Sequence, residues 1–154
     1  MIMKKIVHSL TVGMVASVLA LGLTGAACGQ ADKAISAPTN VDGKADHKLV
    51  LKGVLVYGAL FMSSRKASHG KLLAYAQERM RVIAPLIKSY EGDTVIAQDF
   101  KRIAQENKPL IERLEKDFYD AIVSHNKEKF MTAFAEVSAC DRQLGIKEST
   151  IPAL

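Results

Sequence analysis

The N-terminus most constrains this chain, because two lysines there are followed by a long run without any acidic residue. Lys4 and Lys5 supply the charge, and residues 6–27 are apolar or small apart from His8. A basic start, an apolar core and a small-residue end form a secretory signal peptide. We predict that residues 1–27 are this signal. The chain has 154 residues, and about 100 remain for one small domain once the signal and the polar stretch after it are set aside.

Small residues precede the first cysteine, Cys28. The residues before it, TGAA, resemble the lipobox of bacterial lipoproteins, in which the cysteine becomes the first mature residue and carries acyl chains. Gly25 departs from that pattern, since Leu or Val is usual there. The alternatives are ordinary cleavage after Ala27, Gly29 or Ala31, and an uncleaved anchor long enough to span a bilayer. We expect a lipid at Cys28, and Gly29 after it favours the outer membrane by resemblance to known lipoproteins.

The next stretch is too small and polar to fold alone. Residues 28–46 contain Pro38, Gly43 and little apolar surface. Such a composition is typical of a flexible tether. The sequence therefore predicts a folded part on the periplasmic side, held at the membrane through the lipid on Cys28.

The charge distribution bears on the partners of the protein. The formal net charge is +5, and without Lys4 and Lys5 it is +3. Later lysines and arginines alternate with acidic residues, as on a solvated surface. Nucleic-acid binding requires a concentrated basic stripe, which the sequence lacks. We therefore expect no nucleic-acid partner.

Apolar residues recur at helical spacing throughout the rest of the chain. Tryptophan is absent and aromatic residues make up 6%, which suits helices better than a β-sandwich. Pro85 is expected to kink the second helix, and Pro109 to kink or break the third near Asn107. The predicted helices cover residues 47–64, 69–90, 95–124 and 127–144.

Short connections and one apolar stripe per helix predict an all-α fold. We expect an antiparallel up-down four-helix bundle over residues 47–145, followed by a C-terminal tail over 146–154. Polar residues and one glycine mark the predicted helix ends. These caps are Asp46, Ser68, Asp93 or Thr94, Asn126 and Gly145.

The sequence holds no complete catalytic or metal-binding set. It contains neither a GxSxG turn nor a Glu-x-x-His pair. His47, His69 and His125 fall near predicted helix ends, where histidines usually lie at the surface. An enzyme would need a polar cluster inside the bundle, and none is evident on the apolar stripes. We therefore predict a protein that is not an enzyme and binds no metal or cofactor.

The last predicted helix carries a family resemblance. Cys140 shares its apolar stripe with Val137 and Leu144, which predicts a buried thiol. From Pro109 onwards the chain resembles periplasmic c-type cytochromes with a four-helix bundle, the cytochrome c-prime class. The resemblance implies the same bundle and places Cys140 at the first thiol of the haem-attachment motif. The positions in step with that family are Ala121, Ile122, Phe130, Ala133, Phe134, Val137, Ala139 and Cys140.

The chain departs from that family at the residues that bind haem. Covalent attachment requires two thiols and an axial histidine. Gln143 replaces the second cysteine and Leu144 replaces the histidine. The resemblance therefore implies the fold but not the haem. Met62 and Met80 remain as ligands for a non-covalent haem, although methionines on apolar stripes generally serve packing.

The sequence leads to one favoured function and two rivals. We expect a haem-free bundle that acts by binding a protein or a small apolar ligand, and the sequence does not choose between them. The first rival is a cytochrome-like redox protein that binds haem or another metal through non-standard ligands. The second is an enzyme; Lys88 and Arg102 lie near the predicted kinks, but charged residues there are most often solvated.

Overall fold

Helices make up nearly all of the described chain. The computed structural model describes residues 46–147 and 149–154, which belong to one compact unit. Within these residues the fold is all-α, as predicted. The signal peptide, the lipid at Cys28 and the linker up to residue 45 lie outside the described residues. The helices are α1 (His47–Lys66), α2 (Gly70–Lys88), α3 (Thr94–Glu106), α4 (Lys108–Val123) and α5 (Lys127–Leu144).

The third predicted helix forms two helices, α3 and α4. They meet at Asn107, whose side-chain amide donates a hydrogen bond to the Ile103 carbonyl at 2.8 Å. Pro109 lies in the first turn of α4, where a missing N–H breaks no helical hydrogen bond. The predicted interruption near Asn107 is therefore confirmed. Pro85 lies inside α2, which continues beyond it to Lys88.

Side chains close the starts of four helices, with one correction to the prediction. Asp46, Asp93 and Asn126 each accept a hydrogen bond from a backbone N–H of the first turn, at 2.9–3.1 Å. The prediction of Ser68 as the cap of α2 is wrong. His69 takes that position, and its Nδ1 accepts from the Leu72 N–H at 3.3 Å. Ser68 instead terminates α1 in a left-handed conformation.

Three helices end in a left-handed residue. Ser68 follows α1 with φ 54°, His125 follows α4 with φ 51°, and Gly145 follows α5 with φ 67°. In each case the next N–H bonds back to a carbonyl five residues earlier, at 2.8–2.9 Å, which satisfies the open end of the helix. Gly145 is the predicted cap. Ser68 and His125 carry a Cβ in a conformation that favours glycine.

Helix α1 is the centre of the packing. It contacts each of the other four helices, and a helix that is apolar nearly all round is generally buried. Gly53 permits a close approach to α5, because a Cβ there would lie 2.8 Å from Leu144 Cδ1. The buried apolar side chains of α1 are Val50, Leu51, Val54, Val56, Tyr57, Ala59 and Leu60.

The remaining helices turn their predicted stripes towards the core. In α3 only Ile103 is buried, so α3 is the least embedded of the five described helices. None of the described helices is long and apolar enough to cross a membrane. The buried stripe residues of α2, α4 and α5 are Leu72, Ala76, Met80, Ile83, Leu114, Phe118, Ala121, Ile122, Phe130, Phe134, Val137, Cys140 and Leu144.

The left-handed residues generate a stability prediction. Ser68→Gly and His125→Gly should each raise the free energy of unfolding by about 1 kcal/mol, because glycine removes the Cβ penalty. In a domain of this size the melting temperature should rise by about 4–8 °C. Ser124→Gly is the control, since Ser124 has φ −87° and glycine gains nothing there. Thermal unfolding checks the prediction, and an equal effect at all three positions would contradict it.

Candidate functional site

The two buried charged residues of the described chain pair with each other in the core. Arg79 of α2 is 5% exposed and Asp141 of α5 is 2% exposed. Arg79 Nη2 lies 3.0 Å from Asp141 Oδ2, and the Tyr57 hydroxyl of α1 donates to Asp141 Oδ1 at 2.6 Å. A buried carboxylate requires such a counter-charge and hydrogen-bond donors. Three helices therefore meet at one carboxylate.

Arg79 also binds the chain beyond α5. Its Nη1 donates to the Lys147 carbonyl at 3.1 Å, and its Nη2 donates to Ser149 Oγ at 2.9 Å. Its Nε and Nη2 donate to the Tyr75 hydroxyl at 3.2 and 3.0 Å, and the guanidinium lies 4.9 Å from the centre of that ring. The segment predicted as a C-terminal tail is thus bound to α2 through one side chain.

The electrostatics of this network keep the Tyr57 hydroxyl protonated. Burial raises the pKa of the Tyr57 hydroxyl well above its ordinary value, and the hydrogen bond to Asp141 raises it further. Tyr57 therefore stays a neutral donor at physiological pH. The charges of Arg79 and Asp141 cancel. Through Arg79 the network donates hydrogen bonds to two neutral acceptors, a backbone carbonyl and a serine hydroxyl.

The expectation that no polar cluster lies on the stripes is wrong. Asp141 is four residues after Val137 and three before Leu144, so it shares the buried face of α5. Arg79 similarly lies between Ala76 and Ile83 on the stripe of α2. In the sequence, this pair is indicated by two opposite charges, each at an apolar-stripe position of its own helix. Apolar periodicity alone does not reveal this pair, because it marks only the positions at which apolar residues recur.

The residues that the resemblance aligns with haem attachment have surroundings unlike those of a haem site. Cys140 and Leu144 are fully buried, whereas Gln143 is exposed. Leu144 packs on α1 at Gly53, so an apolar contact between two helices stands where the resemblance places the axial ligand. One thiol and no axial histidine at this helix do not fit a covalently attached haem. Burial raises the pKa of the Cys140 thiol to about 11.

A second polar pair lies at the start of α1. His47 Nε2 is 3.0 Å from Asp99 Oδ2, and its ring packs against Tyr90 and Phe100 with centroids 6.3 and 6.4 Å apart. The hydrogen bond with His47 lowers the pKa of the Asp99 carboxyl, and Arg102 lowers it further. His47 is therefore not a plain surface histidine, since its side chain is only 17% exposed.

The other histidines remain apart from this pair. His69 caps α2 through Nδ1, and His125 is exposed beyond α4. Within residues 46–147 and 149–154, no group of three or more His, Cys, Asp or Glu side chains is arranged to hold a metal ion. The described histidines thus have separate local roles.

Comparisons with known proteins assign no family. The chain matches no protein-family model, no curated protein sequence and no solved structure. The relationship to the cytochromes therefore stays a prediction.

The buried pair leads to a prediction about stability. Arg79→Met should lower the free energy of unfolding by about 3–5 kcal/mol, because Asp141 keeps its charge in the core without this counter-charge. The double variant Arg79→Met/Asp141→Leu should recover most of the loss. Arg81→Met, at an exposed arginine paired with Glu78, should change stability by less than about 0.5 kcal/mol. Urea unfolding measures all three, and a mild effect of Arg79→Met alone would contradict the prediction.

Burial of Cys140 leads to a prediction about reactivity. All proteins compared carry Cys28→Ala, which removes the other cysteine of the sequence. The thiolate of Cys140 is scarce below a pKa of about 11, so a disulfide reagent at pH 8 should label the native protein slowly and the denatured protein fast. Gln143→Cys in a Cys140→Ala background is the matched control, because position 143 is exposed on the same helix. Equal native labelling of the two cysteines would show that α5 is rotated.

Proposed function

We propose that the protein is an exported, membrane-tethered helical-bundle protein of the periplasm that acts by binding and carries no haem. The packing of Leu144 against α1 at Gly53 carries the haem-free part of this proposal. A leucine cannot ligate iron, and its buried side chain takes part in the core. Gln143 likewise offers no second thiol for a thioether.

The finer architecture belongs to the same proposal. We treat α3 and α4 as one helical segment that is interrupted at Asn107. Together with α1, α2 and α5 it gives four segments, which form an antiparallel up-down bundle. In support, α1 contacts α2, α4 and α5, while α4 and α5 contact each other. Helix α3 contacts α1 and α4, as expected if α3 and α4 belong to one interrupted segment.

Attachment to the membrane is proposed from the sequence. The basic start, the apolar run and the small residues before Cys28 support export and acylation of that cysteine. Gly29 supports the outer membrane by resemblance to known lipoproteins. The lipid would hold the helical domain at the periplasmic face through the linker of residues 28–46.

A protein or peptide is favoured over a small apolar molecule as the bound partner. The network around Arg79 presents N–H donors to a backbone carbonyl and a serine hydroxyl. Groups of this kind recognise peptide chains. An apolar ligand that displaced these two acceptors would leave the buried donors of Arg79 unsatisfied, which costs free energy.

Intact mass and absorption of the protein recovered from bacterial membranes test the proposal. We expect a chain that begins at Cys28 with acyl chains, no added haem mass and no Soret band. Cys28→Ala is the matched control and should lose the acyl mass. A Soret band, or a mass increased by one haem, would overturn the haem-free proposal. An N-terminus after Gly29 or Ala31 would overturn the lipid anchor alone.

A further inference from the structure

We propose that the Arg79 side of the domain is a binding site for an extended peptide, and that the C-terminal segment of the chain itself occupies this site. The C-terminal segment means residues 146–154. This inference rests on the binding function proposed above and gives its partner a chemical class. The segment acts as an internal competitor, so a partner binds strongly only when the segment is displaced.

The contacts of the segment define what the site recognises. Arg79 donates to the Lys147 carbonyl at 3.1 Å and to Ser149 Oγ at 2.9 Å. Ile146, just before them, is 7% exposed. None of the described residues of the segment is helical. The recognised pattern is an apolar side chain, a carbonyl one residue later and a hydroxyl two residues after that.

The groups that orient Arg79 all belong to the helical part of the domain. Asp141 binds the guanidinium at 3.0 Å, and the Tyr75 hydroxyl accepts from it at 3.0 and 3.2 Å. The Tyr75 ring lies 4.9 Å from Arg79 Cζ and packs against Phe134 at 5.7 Å. None of these groups belongs to the segment. Arg79 therefore keeps its orientation when the segment leaves, and a preorganised site binds its next ligand at lower entropic cost.

Displacement of the segment leaves the Arg79 donors without their outer acceptors. A buried donor without a partner is costly in free energy, and the cost is larger for a charged group. The exposed face of Arg79 then requires either water or another acceptor chain. This demand gives the site affinity for a second peptide with the same pattern.

Charge favours a peptide over a free anion. Asp141 cancels the charge of Arg79 at 3.0 Å, and the hydroxyl of Tyr57 is already bound to Asp141 at 2.6 Å. An anion would meet a neutral network that contains a carboxylate. Neutral carbonyl and hydroxyl oxygens gain the hydrogen bonds without that repulsion.

Covalent attachment explains why the segment occupies the site when no partner is bound. A segment joined directly to α5 competes at an effective concentration of roughly millimolar or more. An external peptide of equal intrinsic affinity is therefore excluded at micromolar concentration. Removal of the segment should reveal the site.

Peptide binding to a shortened chain tests the inference. The probe is a fluorescein-labelled synthetic peptide of residues 145–154, and the measurement is fluorescence anisotropy. The chain that ends at Gly145, which lacks the whole segment, should bind it at least about tenfold more tightly than the full chain. A peptide with Ser149→Ala should bind about tenfold more weakly, because it loses a hydrogen bond from a charged donor. Acetate and phosphate at the same concentration should not displace the probe.

Two substitutions in the shortened chain identify the receptor group. Arg79→Lys keeps a positive charge beside Asp141 but lacks the forked donors, so binding should fall by about tenfold or more. Arg81→Met is the matched control, because Arg81 is exposed and pairs with Glu78, and it should bind like the parent. Helical circular dichroism confirms that each variant is folded.

A second route applies if the shortened chain does not fold. The full chain with Ile146→Ala/Ser149→Ala keeps its length but weakens the internal competitor, so it should bind the probe more tightly than the unchanged chain. Equal affinity of Arg79→Lys and its parent, or no binding to any folded variant, overturns the inference. If the protein has no Soret band and does not bind the peptide, only the proposed peptide site is refuted. A Soret band refutes only the haem-free proposal.

Discussion

The buried carboxylate of Asp141 is the constraint on which this domain depends. A carboxylate in an apolar core is unfavourable unless a cation and hydrogen-bond donors surround it. Here α2 supplies the cation through Arg79 and α1 supplies a donor through Tyr57. Apolar faces tolerate small sliding movements between helices, but the two oxygens of one carboxylate do not. The polar contacts therefore fix how α1, α2 and α5 meet.

The same part of α5 determines which chemistry is open to the protein. Cys140 and Leu144 flank Asp141, and both are fully buried. Gly53 lets α1 approach until its backbone lies against Leu144. The volume beside α5 is thus filled by protein, and the thiol has the character of a small core residue. What resembles a haem-attachment motif serves here as part of the contact between two helices.

The features that depend on local sequence were predictable, and those that depend on distant pairing were not. Helix positions and caps such as Asp46 and Asn126 follow from periodicity over neighbouring residues. Arg79 and Asp141 are far apart in the chain, so their contact depends on how helices pack. The cap at His69 does not follow from the local pattern, because serine is the commoner N-cap and Ser68 adopts a left-handed conformation instead. The pairing of Arg79 with Asp141 could in principle be predicted from their opposite charges at stripe positions of two helices, whereas the contacts of Arg79 with the C-terminal segment could not.

The choice of arginine connects the core to the surface. A guanidinium has five N–H donors in a planar fork, and Asp141 cannot accept all of them. The remaining donors require acceptors, and Tyr75 and the C-terminal segment provide them. A lysine would balance the charge of Asp141 equally well, but as a compact point charge it would not reach two separate acceptors beyond α5. The arginine that neutralises the core carboxylate therefore also binds the C-terminal segment of the chain.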